Sequence, residues 1–137
     1  MKYWLVKSEP YKYSWQDFLK DKWTYWDGVR NYQARNNLKE MKCNDLVLFY
    51  HSNEGKEIVG VSEVIKEYYQ DPTTDDDRWV VVDLKPVKTL ENPVTLQTIK
   101  SDSKLSEIAL IKQSRLSVMP IRKKEYNRIL ALVKMTK

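Results

Sequence analysis

The chain has 137 residues, 42% of them hydrophobic and 12% aromatic, and a formal net charge of +5 at neutral pH. That length suits one domain with a real core. No apolar run reaches the roughly 18 residues of a membrane-spanning helix, the N-terminus lacks the apolar stretch of a signal peptide, and one cysteine, Cys43, excludes an internal disulfide and points to a reducing compartment.

The charge is unevenly placed. Residues 1–68 nearly balance, whereas residues 115–137 carry seven Lys/Arg against the single Glu125. A basic end attracts phosphate, although a solvated helix face accounts for the lysines slightly better.

In chain order, Tyr3 to Lys7 reads as a short strand. Ser14 reads as a helix N-cap with Asp17 at the third helical position, a capping box, and Tyr13 with Phe18 fits the accompanying hydrophobic staple. Trp15, Phe18 and Leu19 are expected to face the core from a helix that ends near Asp21 or Lys22. After a loop over Trp23 to Arg30, Asn31 is placed to cap a second helix with Ala34, Leu38 and Met41 on one face. Asp45 to Tyr50 and Glu57 to Lys66 read as two strands of a hairpin joined by a turn at Ser52 to Lys56. Gly60 marks a bulge or the close approach of another group. A polar loop from Tyr68 to Arg78 leads to a valine-rich strand from Trp79 to Val87. Thr95 to Lys100 and Leu105 to Leu110 read as short helical pieces, and Leu116 to Met119 as a half-buried strand. Beyond Pro120, a final helix carries Tyr126, Ile129, Leu130 and Val133 as a core-facing stripe. With no repeat or linker, the order of elements predicts an α+β fold in a single domain over residues 1–137, built on a curved, mostly antiparallel sheet or barrel.

Several chemistries lack their parts. Three glycines, Gly28, Gly55 and Gly60, supply neither a Walker loop nor a dinucleotide fingerprint. One cysteine and one histidine cannot make a zinc site of Cys and His. Asp75, Asp76 and Asp77 lack EF-hand spacing and read as a solvated loop. A catalytic triad would need His51, but Ser52 beside it points to the opposite face of a strand, and no nucleophile elbow is present.

The most unusual residues fall in three stretches: Tyr3 to Pro10, Tyr25 to Asn36 and Phe49 to Ser52. Aromatic rings there stand beside Lys, Arg, Asn, Ser and Glu. Such a mixture suits a pocket that stacks a flat ring and hydrogen-bonds its edges. Each residue also has a plainer reading. Trp26 plugs the core edge, Asn31 caps its helix, Arg30 and Arg35 bind carboxylates, Lys7 forms a surface ion pair, and His51 is a half-buried hydrogen-bonder. Arg115 and Ser117 point outward from a half-buried strand.

Trp4 to Pro10, Trp26 to Asn36, Phe49 to Ser52, Val59 to Val61 and Ser114 to Val118, in that order over nearly the whole chain, resemble the EVE domain family. The resemblance implies a PUA-like pseudo-barrel flanked by short helices, shared with YTH and ASCH domains. YTH domains read methylated adenine in RNA, and EVE domains are implicated in reading modified cytosine in DNA. Asn44 stands where the family often has glycine, which should affect only a turn. Carried over by motif, the pocket draws on Lys7, Ser8 and Glu9, on Trp26, Val29, Arg30 and Asn31, on Phe49, Tyr50, His51 and Ser52, and on Arg115 and Ser117. Trp26 and one ring of the Phe49–Tyr50 pair are expected to sandwich the base. Ser8, Asn31 and Ser52 are expected to read its edge, with Lys7, Arg30 and Arg115 on phosphate or a carbonyl.

The resulting expectation is a non-catalytic, monomeric reader of methylated or hydroxymethylated cytosine flipped out of DNA. It would need no cofactor and no metal, and would be cytoplasmic, or nuclear in a eukaryote. Recognition of modified RNA is one alternative. An enzyme on a nucleotide or small molecule, with His51 as general base, is the other.

Overall fold

The computed structural model describes residues 1–135. The first strand, β1 (Tyr3–Ser8), carries the consecutive buried residues Trp4, Leu5 and Val6, the pattern of a strand covered on both faces. Ser14 then starts α1 (Trp15–Asp21) with both bonds of the capping box, and Lys22 ends it in the left-handed region at φ 70°. Trp15 and Phe18 are buried as expected, but Leu19 is 37% exposed. In so short a helix the Trp15–Phe18 ridge is the whole buried face, and Leu19 lies about 100° further round.

A two-residue strand, β2 (Thr24–Tyr25), was not foreseen, because two residues carry no periodicity. Asn31 caps α2 (Tyr32–Glu40), whose Ala34 and Leu38 are buried. A turn with Asn44 at φ 78° leads to β3 (Leu46–His51), and β3 forms the expected hairpin with β4 (Glu57–Gln70).

The strands run longer than their sequence pattern suggests. β4 extends four residues past Lys66, and β5 covers Val80–Thr95 in place of Trp79 to Val87. Pro86 and Pro93 made that extension unreadable, since proline lacks a ladder donor. They fit here because β2 covers only Asp83 and Leu84, so the rest of β5 has a free edge. α3 (Leu96–Ser101) follows. The helix expected over Leu105 to Leu110 is instead a 3₁₀ turn at Ser103–Leu105 and a separate α4 (Ala109–Lys112). Two turns bury Leu105, Ile108 and Leu110 as well as one helix would. β6 is Val118–Ile121, two residues later than expected and including Pro120, and α5 (Lys123–Met135) closes the fold. Tyr126, Ile129 and Val133 of its stripe are buried.

The six strands make one sheet in the order β2-β5-β4-β3-β1-β6. Four pairings are antiparallel and one, β1 with β3, is parallel. The sheet does not close: β2 and β6 are its two edges. Repeated register shifts between β4 and β5 bend and twist it, as bulges do. The start of the parallel pair is tied by the buried Asp45 carboxylate, which accepts from Trp4 Nε1, Lys2 N and Lys42 N, each at 3.0 Å. Among the described residues no helix is long and apolar enough to cross a membrane.

Gly60 fulfils both readings made from the sequence. A register shift in the β3–β4 ladder falls beside it, and the Trp15 indole lies directly over it, where any Cβ would overlap the ring. Trp15 Nε1 donates to Thr89 Oγ1 at 2.8 Å, which pins the ring against β5. Gly60→Ala should therefore displace Trp15 and lower stability by about 1–3 kcal/mol, the usual cost of overpacking. Urea unfolding of the two proteins checks this, and an unchanged midpoint would contradict the packing described.

Candidate functional site

Parallel pairing brings the C-terminal ends of β1 and β3 to the same end of the sheet, with Lys7 opposite Tyr50 and Ser8 opposite His51. The pairing continues one step further, as Ser52 N donates to Ser8 O at 2.9 Å. At this end a cavity of about 580 Å³ is lined by Lys7, Ser8, Glu9 and Ser52. Lys12 and Tyr13 line it from the turn after β1, Thr24 and Tyr25 from β2, and Trp26, Asp27 and Gly28 from the following loop. Ser117, just before β6, completes it. Residues of both sheet edges thus share one cavity. The open sheet curls until β2 and the approach to β6 face each other across the gap.

The floor is aromatic. Trp26 N donates to Val82 O at 2.8 Å, continuing the β2 pairing. Its indole meets Phe49 edge-on at 5.5 Å and Tyr13 edge-on at 6.4 Å between centroids. Only 8% of Trp26 remains exposed, so it is more plug than open platform. Phe49 is fully buried between Phe18, Trp15 and Trp26. Tyr50 faces the opposite side of the strand and is buried as well. The expected sandwich of Trp26 with Phe49 or Tyr50 therefore does not form. The rings left at the opening are Tyr13 and Tyr25, the latter 37% exposed.

The polar groups are positioned by backbone. Glu9 O accepts from Lys12 N and Tyr13 N, both at 2.9 Å, and Ser8 Oγ donates to Tyr13 O. Lys7 Nζ donates to Ser114 O at 2.8 Å, and burial pulls its pKa below the ordinary lysine value. Tyr13 donates its hydroxyl to Asp21 Oδ2 at 2.9 Å; burial first and that bond second push its pKa up, so it stays protonated.

The loop carrying Trp26 to Gly28 is held by Asp71, which is fully buried. Its carboxylate accepts from Gly28 N at 3.2 Å, Arg30 Nη1 at 3.0 Å and Thr73 N at 2.7 Å. Burial raises the Asp71 pKa, but the bonds from Thr73, Arg30 and Gly28 outweigh it and hold the group below the ordinary value of 3.8. Gly28 needs its lack of a side chain here, because its φ is +76°.

The other expected site residues stand elsewhere. Val29 is buried in the core. Arg30 is committed to Asp71, and the Asn31 side chain caps α2 by accepting from Ala34 N at 2.9 Å. His51 Nε2 accepts from Trp15 N at 3.0 Å, holding the first turn of α1. Burial lowers the His51 pKa, against a smaller opposing effect of Glu57. Arg115 lies in a second, shallower groove of about 330 Å³ with Asn31, Gln33, Gln113, Ser114 and Leu116. The Lys7–Ser114 bond joins that groove to the main cavity. Arg115 is exposed and has no carboxylate partner among the described residues. Sequence reasoning missed Lys12, Tyr13, Thr24, Tyr25, Asp27 and Gly28 as lining residues. Tyr25, Asp27 and Gly28 lay inside a stretch already singled out, whereas Tyr13 carried only a helix-staple signal. That staple exists too, with Tyr13 and Phe18 6.2 Å apart.

A family model for the EVE domain matches residues 2–132. The chain belongs to the EVE domain family. It is 36% identical over 164 residues to mouse thymocyte nuclear protein 1, a match that covers 95% of this chain and 73% of that protein. The NMR structure of Rpa0253 from Rhodopseudomonas palustris superposes with a TM-score of 0.93 at 42% identity, covering 100% of this chain and 96% of that one. The crystal structure of human THYN1 in complex with 5-methylcytosine-containing DNA superposes at 0.90 with 32% identity, covering 98% of each chain. An ASCH protein from Zymomonas mobilis shares the fold at a TM-score of 0.60 and 9% identity.

Two outcomes follow for the contacts that organise the site. His51 must be neutral to accept from Trp15 N, and its folded pKa lies below the unfolded value. Its contribution is therefore complete above about pH 6.5 and declines as pH falls through the folded pKa. His51→Gln, which keeps an acceptor, should flatten the loss of Tm between pH 7.5 and 5, and an unaltered pH profile would refute the assignment. Asp71→Ala should cost about 1–3 kcal/mol by leaving buried donors unpaired, and should speed hydrogen exchange at the Gly28 amide. Unchanged protection there would refute the latch.

Proposed function

We propose that this protein is a non-catalytic reader of a modified cytosine in DNA, acting as a single domain and as a monomer. The lining of the main cavity carries the reading. Aromatic surface from Tyr13, Tyr25 and Trp26 meets the polar edge groups of Lys7, Ser8, Glu9, Ser52 and Ser117 in one space. Its volume of about 580 Å³ falls within the roughly 300–1,000 Å³ of small-ligand clefts. A human relative similar over nearly the whole chain was crystallised with 5-methylcytosine-containing DNA, which supports taking that ligand class to this cavity.

A base held in a cleft at the end of a sheet must leave the duplex stack. Flipping costs a few kcal/mol. One aromatic contact returns about 1–3 kcal/mol per base, and edge hydrogen bonds in the enclosed site add to it. In this reading the base lies against Tyr25 and the exposed margin of Trp26. Lys7 and Lys12 sit at the mouth, and Arg115 in the adjoining groove, with no carboxylate partner among the described residues, takes a flanking phosphate. Polymer and protein would meet in the compartment that holds the DNA: the cytoplasm of a cell without a nucleus, the nucleus of one that has it.

Binding is favoured over catalysis by the use already made of His51. Its Nε2 is occupied by the amide of Trp15, and it does not line the cavity, so it is not placed to take a proton from a bound base.

Fluorescence anisotropy with matched duplexes, differing only in one cytosine or 5-methylcytosine, tests the reading. The wild type should prefer the modified duplex, and matched RNA should compete less well. Tyr25→Ala should weaken the modified duplex about tenfold, as expected for the loss of one stacking partner, without the core damage that Trp26→Ala would bring. Arg115→Ala should weaken both duplexes alike and lower the salt slope by about one. Equal affinity of the wild type for the two duplexes would sink the proposal.

A further inference from the structure

A reader of 5-methylcytosine faces a competitor present throughout ordinary DNA. Thymine has the same ring and the same 5-methyl group. The two bases differ at C4, the ring atom next to the methyl-bearing carbon, where 5-methylcytosine offers an exocyclic amine donor and thymine a carbonyl acceptor, with N3 beyond it exchanged in the complementary sense. Recognition of the methyl group and of the ring face cannot tell them apart. A discriminating site needs a fixed acceptor where the amine arrives.

We infer that the Glu9 carboxylate is this specificity-determining group, an inference that rests on the reading of the main cavity as a base-binding site. Glu9 lines that cavity. Its Oε2 is shut off from solvent and accepts no hydrogen bond from any described residue. Lys12 Nζ stands 3.8 Å away on a largely exposed side chain, an ion-pair distance without hydrogen-bond contact. The exposed Tyr11 hydroxyl also leans on the Glu9 carboxylate, which raises the Tyr11 pKa chiefly through that hydrogen bond. Oε2 nevertheless meets no hydrogen-bond donor among the described residues. A buried acceptor without a donor is costly, and at a ligand cavity the missing donor is supplied by the ligand.

The backbone that carries this carboxylate is also held still. The Glu9 carbonyl accepts from two successive amides, and Ser8 Oγ closes the same turn onto Tyr13 O. The turn directly follows β1, whose last residue is paired in register with β3. An acceptor on a rigid turn rewards an amine and repels a carbonyl in the same place. The other polar groups at the cavity do not impose this choice. The hydroxyls of Ser52 and Ser117 donate or accept as required, the Ser8 hydroxyl is turned to Tyr13 O, and Lys7 only donates. Glu9 is acceptor-only when ionised, as is Asp27, which lines the same cavity but is exposed.

The test uses the whole chain and oligonucleotides in which the target position lies opposite an abasic site, so that unpairing costs are equal. The targets are 5-methylcytosine, thymine and 5-methyl-2-pyrimidinone, which lacks the amine. The wild type should bind 5-methylcytosine roughly tenfold or more tightly than either of the others, the size expected of one well-placed edge contact. Glu9→Gln, whose amide can turn its NH₂ toward a carbonyl, should bring 5-methylcytosine and thymine to within about threefold, chiefly by gaining thymine. Wild type that binds the amine-less base as tightly as 5-methylcytosine overturns the inference without using a variant. So does a Glu9→Gln protein that melts like the wild type and keeps its preference over thymine. Those results leave the base-reading proposal standing. Wild type with no affinity for any of the three removes both.

Discussion

The parallel pairing of β1 with β3 is the constraint on which the rest of this molecule depends. All other strand pairs are antiparallel, so each of those brings one strand's beginning to another's end. β1 and β3 alone finish together, and Ser8, Glu9 and Ser52 therefore meet at one end of the sheet. A parallel pair needs a long crossover, and here the crossover contains α1, β2 and α2. That same crossover carries β2 to the far edge of the sheet, where it pairs with β5. The connection that makes the parallel pair possible also delivers Tyr25 and Trp26 to the cavity.

Packing under the cavity follows from a missing side chain. Gly60 leaves room for the Trp15 indole, and Trp15, Phe18, Phe49 and Trp26 then form a continuous set of ring contacts at centroid distances of 5.2–5.5 Å. Edge-on aromatic contacts add stability beyond buried area. They also make the floor stiff. The loop above it is fixed from the other side by Asp71, which gathers Gly28, Arg30 and Thr73 around one buried carboxylate. Three of the conspicuous residues of the motif, Gly28, Arg30 and Asn31, thus spend their chemistry on holding the loop and helix. They place Trp26 rather than touch what it faces.

Polar groups in this protein divide by whether the protein satisfies them. Asp45, Asp71 and Glu125 are buried and each is hydrogen-bonded several times over or paired. His51 is half-buried and has its acceptor role. Glu9 Oε2 at the cavity is the exception among the buried side-chain atoms of the described residues, an acceptor with no hydrogen-bond donor, and the exposed Arg115 beside the cavity is one of the surface cations without a carboxylate partner among those residues. An aromatic opening that holds an acceptor oxygen without a donor, with an arginine in the adjoining groove, is complementary to a base that carries a donor edge and a phosphate. That complementarity, rather than net charge, links this fold to its proposed ligand.

Local signals were readable along the chain wherever the cause was local. The Ser14–Asp17 box, the Asn31 cap, the β3–β4 hairpin and the α5 stripe all depend on residues a few positions apart, and all were legible. So was the crowding at Gly60, because a glycine amid β-branched neighbours advertises a close approach. Motif resemblance also identified the family and six cavity residues: Lys7, Ser8, Glu9, Trp26, Ser52 and Ser117. What stayed hidden was which way each remaining candidate would turn. Phe49 and Tyr50 went to the core and Arg30 to a carboxylate 41 positions away. Tyr13 and Tyr25 took over the opening, because strand parity and long-range partners are settled by pairing across the sheet. Residue order determines periodicity and capping. The face a side chain shows, and the neighbour it meets, are set by contacts between segments far apart in the chain.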